Sequence, residues 1–110
     1  MATTYKVLGT QANPAATTAT TLYTVGSSTS AVVSTITICN QASTAGSFRL
    51  AVRPAGATLA GQHYIAYDTP IAANDTIALT LGITLATTDV ITVYASSASM
   101  SFSAFGSEIS

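Results

Sequence analysis

The amino-acid sequence predicts an all-β domain, a two-sheet antiparallel β-sandwich of about eight strands. Short runs in which large apolar residues alternate with Thr, Ser or Ala recur along the chain, and this period of two is typical of strands with one buried face. Clusters of Gly, Pro, Asn, Asp and Ser separate the runs, and no useful stretch has a helical period. Such a pattern indicates either a jelly roll or an immunoglobulin-like sandwich.

The most regular alternation lies in residues 75–96. Ile77, Leu79 and Leu81 alternate with small or hydroxyl residues, which predicts a strand with one buried face. After a polar turn the alternation resumes over residues 90–95. Because a short turn between two strands is typical of a hairpin, we expect these two strands to pair antiparallel.

The remaining strands show the same alternation of apolar and small or hydroxyl residues. Proline or glycine ends several of them, because proline cannot donate to a ladder and glycine permits the chain to reverse. Residues 4–11 are expected to form either a first strand or an extended arm. On that basis residues 1–18 are set apart from a sandwich domain over residues 19–110. The other predicted strands are Thr20–Val25, Ser30–Asn40, Ser47–Arg53, Gln62–Asp68 and Met100–Gly106.

The strand Ser30–Asn40 carries large residues on both faces, with Ile36 on one face and Val33 and Cys39 on the other. Large residues on both faces indicate a central strand. Cys39 is interpreted as a small buried apolar residue, since it ends a β-branched run. A single cysteine also excludes an internal disulfide.

The charged fraction of this 110-residue chain is only 6%, against about 25% in ordinary soluble domains. A free monomer usually keeps itself soluble with charge, so a nearly neutral surface predicts that other subunits cover much of it. A soluble monomer with a hydroxyl-rich surface is the alternative. The cations are Lys6, Arg49 and Arg53, too few to neutralise a phosphate backbone, so we expect no nucleic-acid binding.

The N-terminus lacks a basic segment followed by an apolar stretch, and no apolar run reaches the length of a membrane span. We therefore expect no signal peptide and no membrane partner, and we expect synthesis and assembly in a cytoplasm.

Residues with catalytic or metal-binding chemistry are sparse, and the sequence predicts no enzyme and no cofactor and assigns no metal ligand. The single histidine, His63, is expected to be a hydrogen-bonded residue near a strand start. Asp68, Asp75 and Asp89 lie at predicted strand ends, where carboxylates usually accept hydrogen bonds from nearby backbone N–H groups. A calcium site assembled from two loops is left open.

Arginine and tyrosine side chains outside the core predict a contact surface. Arg49 and Arg53 are four residues apart on one strand and therefore project from the same face, away from the core. Tyr64 and Tyr67 are three residues apart, so we expect them on opposite faces. Tyrosine joins an apolar ring to a polar tip and is enriched at interfaces. The candidate interface residues are Tyr5, Arg49, Arg53, Tyr64, Tyr67 and Phe105.

Six successive segments carry a family resemblance: TLYTV, VVSTITICN, FRLAVRPAG, HYIAYDTPIAANDTIALTLGITL, DVITVYAS and SFSAFGSEIS. Their order and wording resemble small virion structural proteins of tailed bacteriophages, particularly those of cyanobacterial and marine phages. The resemblance covers residues 20–110. Thr88 stands before Asp89 where similar proteins often have glycine. The resemblance implies a β-sandwich subunit that decorates the capsid as a cement between capsomers, or that sits in the neck or tail.

The leading expectation is therefore capsid decoration in the virion, with the major capsid protein as partner and self-association into homotrimers. The alternative is a receptor- or carbohydrate-binding module of a tail fibre, which would bind a host surface glycan through Tyr64, Tyr67 or Phe105. An ice-binding surface is a third possibility, suggested by Thr35 and Thr37, but one such pair is too few for a lattice match.

Overall fold

A computed structural model describes residues 2–110 as two four-stranded sheets, which confirms the predicted all-β sandwich. Two short 3-10 turns, Pro54–Gly56 and Gly61–His63, lie between the fourth and fifth strands. The strands are β1 (Thr3–Ala12), β2 (Thr20–Thr24), β3 (Ser30–Asn40), β4 (Gly46–Arg53), β5 (Tyr64–Ile71), β6 (Thr76–Leu85), β7 (Val90–Ala95) and β8 (Met100–Ile109).

The strand order is β1-β8-β3-β6 in sheet A and β2-β7-β4-β5 in sheet B, with antiparallel pairing throughout. The first strand pairs with the last, the second with the seventh, the third with the sixth and the fourth with the fifth. This nested pairing is a long hairpin folded over on itself, which identifies the sandwich as a jelly roll. β1 is an edge strand of sheet A, so residues 4–11 take the first of the two conformations expected for them.

The predicted hairpin between β6 and β7 is wrong. β6 pairs with β3 in sheet A, whereas β7 lies between β2 and β4 in sheet B. Both strands face one core from opposite sides, and packed sheets lie only about 10 Å apart, so a short turn can cross between sheets. Alternation along each strand therefore predicted the strands but not their partners.

The core fills the space between the inner faces of the two sheets. Phe48 of sheet B meets Phe102 of sheet A edge to face, with ring centroids 6.3 Å apart. Ile36, Leu50 and Ile91 are completely buried around them. These apolar side chains come from strands far apart in sequence, so burial of the core fixes the strand order.

A bulge in β3 changes which of its residues face the core. The register shifts between Val33 and Thr35 against both neighbouring strands, so Val33 faces inward together with Ile36. Cys39 consequently lies half-buried on the outer face of sheet A, opposite Ser101, and its predicted core position is wrong. The prediction that β3 is a central strand is confirmed.

β1 packs against β2 and closes one side of the sandwich. Gly9 makes this approach possible, since its φ of +66° suits glycine and an added Cβ would lie 2.5 Å from the carbonyl oxygen of Leu22. On the opposite side β5 and β6 are the end strands of their sheets. The molecule therefore has one closed side and one side with two unpaired strand edges.

Candidate interaction surfaces

The outer face of sheet B is organised around Arg49. Its Nε donates to Asp68 Oδ1 at 2.6 Å and its Nη2 donates to Asp68 Oδ2 at 3.2 Å. This forked hydrogen bond lowers the pKa of Asp68 and raises the pKa of Arg49. Both groups therefore stay charged at ordinary pH, and each neutralises the other.

Two tyrosine rings enclose the Arg49 guanidinium. Its Cζ atom lies 4.2 Å from the ring centroid of Tyr67 and 4.2 Å from that of Tyr94, which are cation–π distances. Tyr64 packs edge to face on Tyr67, with centroids 4.9 Å apart. We call Arg49, Tyr64, Tyr67, Asp68 and Tyr94 the aromatic–arginine cluster.

Tyr64 and Tyr67 share one face, so the expectation that they face opposite sides is wrong. In β4, Leu50 lies opposite Ala66 and Ala51 lies opposite Tyr64. Ile65 is therefore an extra residue in β5, a bulge that changes the alternation of its strand. The bulge brings the two tyrosine rings into contact.

A shallow groove of about 640 Å³ borders the aromatic–arginine cluster. It is lined by residues 59–61 together with Tyr64 and Tyr67. Tyr67 is 58% exposed, so a solvent-facing aromatic ring forms part of the wall. His63 Nδ1 accepts a hydrogen bond from the Ala60 N–H at 3.1 Å, which holds the adjoining turn and confirms the hydrogen-bonded histidine.

Arg53 projects from the same face as Arg49, as predicted, but its donors are used within the chain. Its Nε donates to Thr92 Oγ1 at 3.0 Å and its Nη1 donates to the Ala57 carbonyl at 3.1 Å. Asp89 Oδ1 accepts a hydrogen bond from the Ala55 N–H at 2.9 Å. The connection between β4 and β5 thus packs across this half of the outer face of sheet B.

The outer face of sheet A presents exposed apolar side chains. Val7 of β1 and Phe105 of β8 are cross-strand partners, and Tyr5 lies two residues before Val7 on the same face. Val32 of β3 lies opposite Ser107, which in turn lies opposite Tyr5. Tyr5 is 84% exposed and Phe105 is 37% exposed. We call Tyr5, Val7, Val32 and Phe105 the apolar patch.

The rest of this face is rich in hydroxyl groups and, within residues 2–110, no strand residue facing outward from sheet A is charged. The charged residues lie on sheet B, in turns, or where β1 meets β2. The residues around the apolar patch are Thr35, Thr37, Cys39, Thr76, Ala78, Thr80, Thr84, Ser101, Ser103 and Ser107.

A charged cluster holds β1, β2 and β8 together at the closed side. Lys6 Nζ lies 2.7 Å from Glu108 Oε1, and the buried Tyr23 hydroxyl donates to Glu108 Oε2. The hydrogen bonds from Lys6 and then Tyr23 lower the pKa of Glu108. Burial, followed by the interaction with Glu108, raises the pKa of Tyr23. The cluster is therefore neutralised within the chain.

The turn carboxylates mostly behave as predicted. Asp75 Oδ1 accepts from the Thr76 N–H at 2.8 Å, and Asp89 Oδ2 accepts from the Ala86 N–H at 2.8 Å. Asp68 is the exception, because it pairs with Arg49 instead of with backbone.

No three His, Cys, Asp or Glu side chains of the described residues gather as metal ligands would. Residues 2–110 also contain no helix suited to crossing a membrane.

The candidate interface residues divide between the two sheets. Arg49, Tyr64 and Tyr67 come together on sheet B, whereas Tyr5 and Phe105 lie on the opposite face of the molecule, on sheet A.

Comparison of the chain with known protein families, with curated proteins and with solved structures found no match. Assignment of function therefore depends on the chemistry of these two faces.

Sequence reasoning missed four residues of these surfaces, namely Val7, Val32, Asp68 and Tyr94. Val32 lies on the outer face because of the bulge beside Val33 in β3. Val7 could have been found, because it shares the alternation of Tyr5 along β1. Tyr94 and Asp68 reach Arg49 only because β7 and β5 flank β4, and no local pattern reveals that strand order.

Proposed function

We propose that this chain is a structural subunit of a virus particle, a decoration protein that binds between capsomers of a tailed-phage head through the outer face of sheet A. The absence of charge from that face is the observation that carries the proposal. Covering a charged group costs free energy unless a partner neutralises it, whereas apolar and hydroxyl groups are covered at little cost. The apolar patch supplies Tyr5 and Phe105 as aromatic anchors, a residue type enriched at interfaces.

Two further observations support a virion partner. Jelly rolls recur in viral capsid proteins, although a fold alone does not assign a function. The resemblance of the strand segments to small phage structural proteins favours the major capsid protein as the binding partner. The finished assembly would be the virion, built in the host cytoplasm. A position in the neck or tail would use the same face.

The proposed mechanism is mass action and involves no chemical step, cofactor or catalytic residue. A subunit that binds the assembled shell and not its separated parts stabilises the shell by its binding free energy. At a free concentration one hundred times its dissociation constant, each bound copy contributes about 2.7 kcal/mol. Many copies would then raise the temperature at which the head opens.

The proposal is tested by comparing virus particles that carry the chain with particles that lack it. Particles without the chain are expected to release their nucleic acid at a lower temperature, and adding purified protein should restore the normal temperature. Electron cryomicroscopy of the particles should place sheet A against the shell. Equal heat tolerance with and without the chain would contradict the proposal.

A receptor- or carbohydrate-binding module is the second candidate, and the groove beside the aromatic–arginine cluster favours it. Exposed tyrosine rings can stack on the apolar face of a sugar while their hydroxyls bond to its polar groups. Binding to a glycan array would be lost in Tyr67→Ala and kept in Phe105→Ala. Binding that is absent from the intact protein would count against this candidate.

A further inference from the structure

The four sheet edges differ in how they resist pairing with another chain. β5 contains Pro70, and its Asp68 has a φ of +48°. β1 carries Lys6, and β2 has only five residues, Thr20–Thr24. Charge, proline, bulges and short length are the usual protections of an edge strand. β6, Thr76–Leu85, has ten residues with neither charge nor proline, and within residues 2–110 no strand pairs with its outer side.

The apolar side chains of β6 are incompletely covered in the single chain. Ile77, Leu79 and Ile83 pack against the core but remain partly exposed, and Leu81 is 47% exposed. A neighbouring strand on the open side would cover them, and burial of apolar area favours association.

The first half of β6 is complementary to itself. Residues 76–80 read Thr-Ile-Ala-Leu-Thr, which is nearly the same pattern in both directions. If two copies pair antiparallel about Ala78, each Thr76 lies opposite a Thr80 and each Ile77 lies opposite a Leu79. Thr–Thr and branched aliphatic cross-strand pairs are favourable, and this register brings no like charges together.

The bulge that follows this segment selects the register. Thr80 lies opposite Thr35 and Ile83 lies opposite Val33, so Leu81 and Gly82 together oppose one residue of β3. Gly82 has a φ of +63°. A bulge interrupts regular pairing on both sides of its strand, so the uninterrupted part of this edge is residues 76–80.

We propose that two copies of this chain pair through β6 about a two-fold axis at Ala78, joining their A sheets into one continuous eight-stranded sheet. Such an interface is isologous, with the same segment contributed by both copies. The main-chain N–H and C=O groups at the edge supply the hydrogen bonds, as in other cases of strand addition. The inference does not depend on a virion role, and it differs from the homotrimer expected from the sequence.

Cysteine cross-linking tests the register directly. Ala78→Cys would be made in a Cys39→Ser background, because Cys39 lies opposite Thr76 on the same face. Directly opposite residues of antiparallel strands have Cα atoms about 5 Å apart, within the range of a disulfide. Mild oxidation is expected to cross-link this variant into dimers.

Two matched variants provide the control. Thr76→Cys and Thr80→Cys should not cross-link alone. In each variant the cysteines of the two copies are four residues apart along the strands, which is about 13 Å at 3.3 Å per residue. A mixture of the two should cross-link. Absence of a dimer with Ala78→Cys, or equal cross-linking of all three variants, would overturn the inference.

Charge substitution tests the same interface without cysteine. Light scattering of the unaltered chain at about 100 μM is expected to give a mass of two chains. Ala78→Lys brings two ammonium groups together at the axis and should raise the dissociation constant at least about 30-fold, with an unchanged melting temperature once both proteins are diluted to monomers. Thr37→Lys is the control, since it lies beside Ala78 on the central strand β3 and should leave the dimer intact. A mass of one or three chains, or a dimer abolished only by Thr37→Lys, would refute pairing through β6.

Discussion

The two outer faces of this sandwich differ in charge: within residues 2–110 the face of sheet B carries charged side chains and the face of sheet A carries none. The face of sheet B carries Arg49, Arg53 and Asp68, and each is bonded within the chain, while the connection between β4 and β5 packs over part of the face. The face of sheet A carries no charge on its outward strand residues and remains uncovered around Tyr5 and Phe105. The few charged residues of this chain thus make internal contacts, and the outer face of sheet A is left without charge in the described part of the chain.

The strongest way to break this comparison is to place a charge on the neutral face. Phe105→Lys is expected to weaken binding to phage heads at least about 30-fold, which corresponds to about 2 kcal/mol, because it buries an unpaired ammonium at the interface. Ile65→Lys also replaces an exposed apolar side chain by lysine, but on β5 of sheet B, and should leave binding unchanged. Sedimentation of each protein with purified heads measures the effect. Equal loss in both variants would show that sheet A has no special role.

Removing the charge at the centre of the other face tests its internal function. Arg49→Gln leaves Asp68 without its partner and the rings of Tyr67 and Tyr94 without the cation between them. We expect the melting temperature to fall by a few degrees while binding to heads is unaffected. Arg49→Lys should recover little of the loss, because lysine lacks the planar fork. Full recovery in that variant would mean that charge alone, and not stacking, stabilises the face.

The closed side should respond to acid. The pKa of Glu108 is lowered by hydrogen bonds from Lys6 and Tyr23, so its contribution to stability is complete above the ordinary glutamate pKa of about 4.3. It is lost as the pH falls through the lowered pKa of the folded state. Glu108→Gln should therefore melt at a lower temperature at pH 7 but lose less stability than the unaltered chain between pH 5 and pH 2.

Melting curves across that pH range provide the measurement. Asp68→Asn is the matched comparison on the other sheet: because the pKa of Asp68 is also lowered, this variant should likewise lose less stability in acid than the unaltered chain. Parallel melting profiles of the Glu108→Gln variant and the unaltered chain would contradict a role for Glu108 in acid sensitivity.

The smallest expected effect lies outside both faces, in the turn between β6 and β7. Thr88 has a φ of +69°, a left-handed conformation that costs a residue with a Cβ about 1 kcal/mol. Thr88→Gly should therefore stabilise the fold by roughly 0.5 kcal/mol, since glycine also loses more chain entropy on folding. Thr87→Gly is the control and should destabilise, because the Thr87 hydroxyl donates to the Thr29 carbonyl. Chemical denaturation can show that Thr88→Gly raises the free energy of unfolding and that Thr87→Gly lowers it.

The alternation of side chains predicted the strands well but failed at the bulges. Ser30–Asn40 was predicted with its observed bounds, yet the bulge beside Val33 changed which of its residues face the core. The extra residue Ile65 likewise put Tyr64 and Tyr67 on one face. A bulge depends on the register of neighbouring strands, and that register is set by packing between distant segments. Local pattern therefore identified some of the residues on the outer faces and placed Arg49 and Arg53 on one face, but it failed for Tyr64 and Tyr67, which have a bulge between them.

The nested pairing also sets an order in which the molecule can fold. β4 and β5 are joined by a short connection, whereas the contact between Val7 and Phe105 closes a loop of nearly the whole chain. The entropy lost on closing a loop grows with its length, so folding is expected to start at the innermost pair and to proceed slowly outward. The apolar patch, which needs both β1 and β8, is then the last surface to form. A newly made chain would present the complete apolar patch only when its folding is finished.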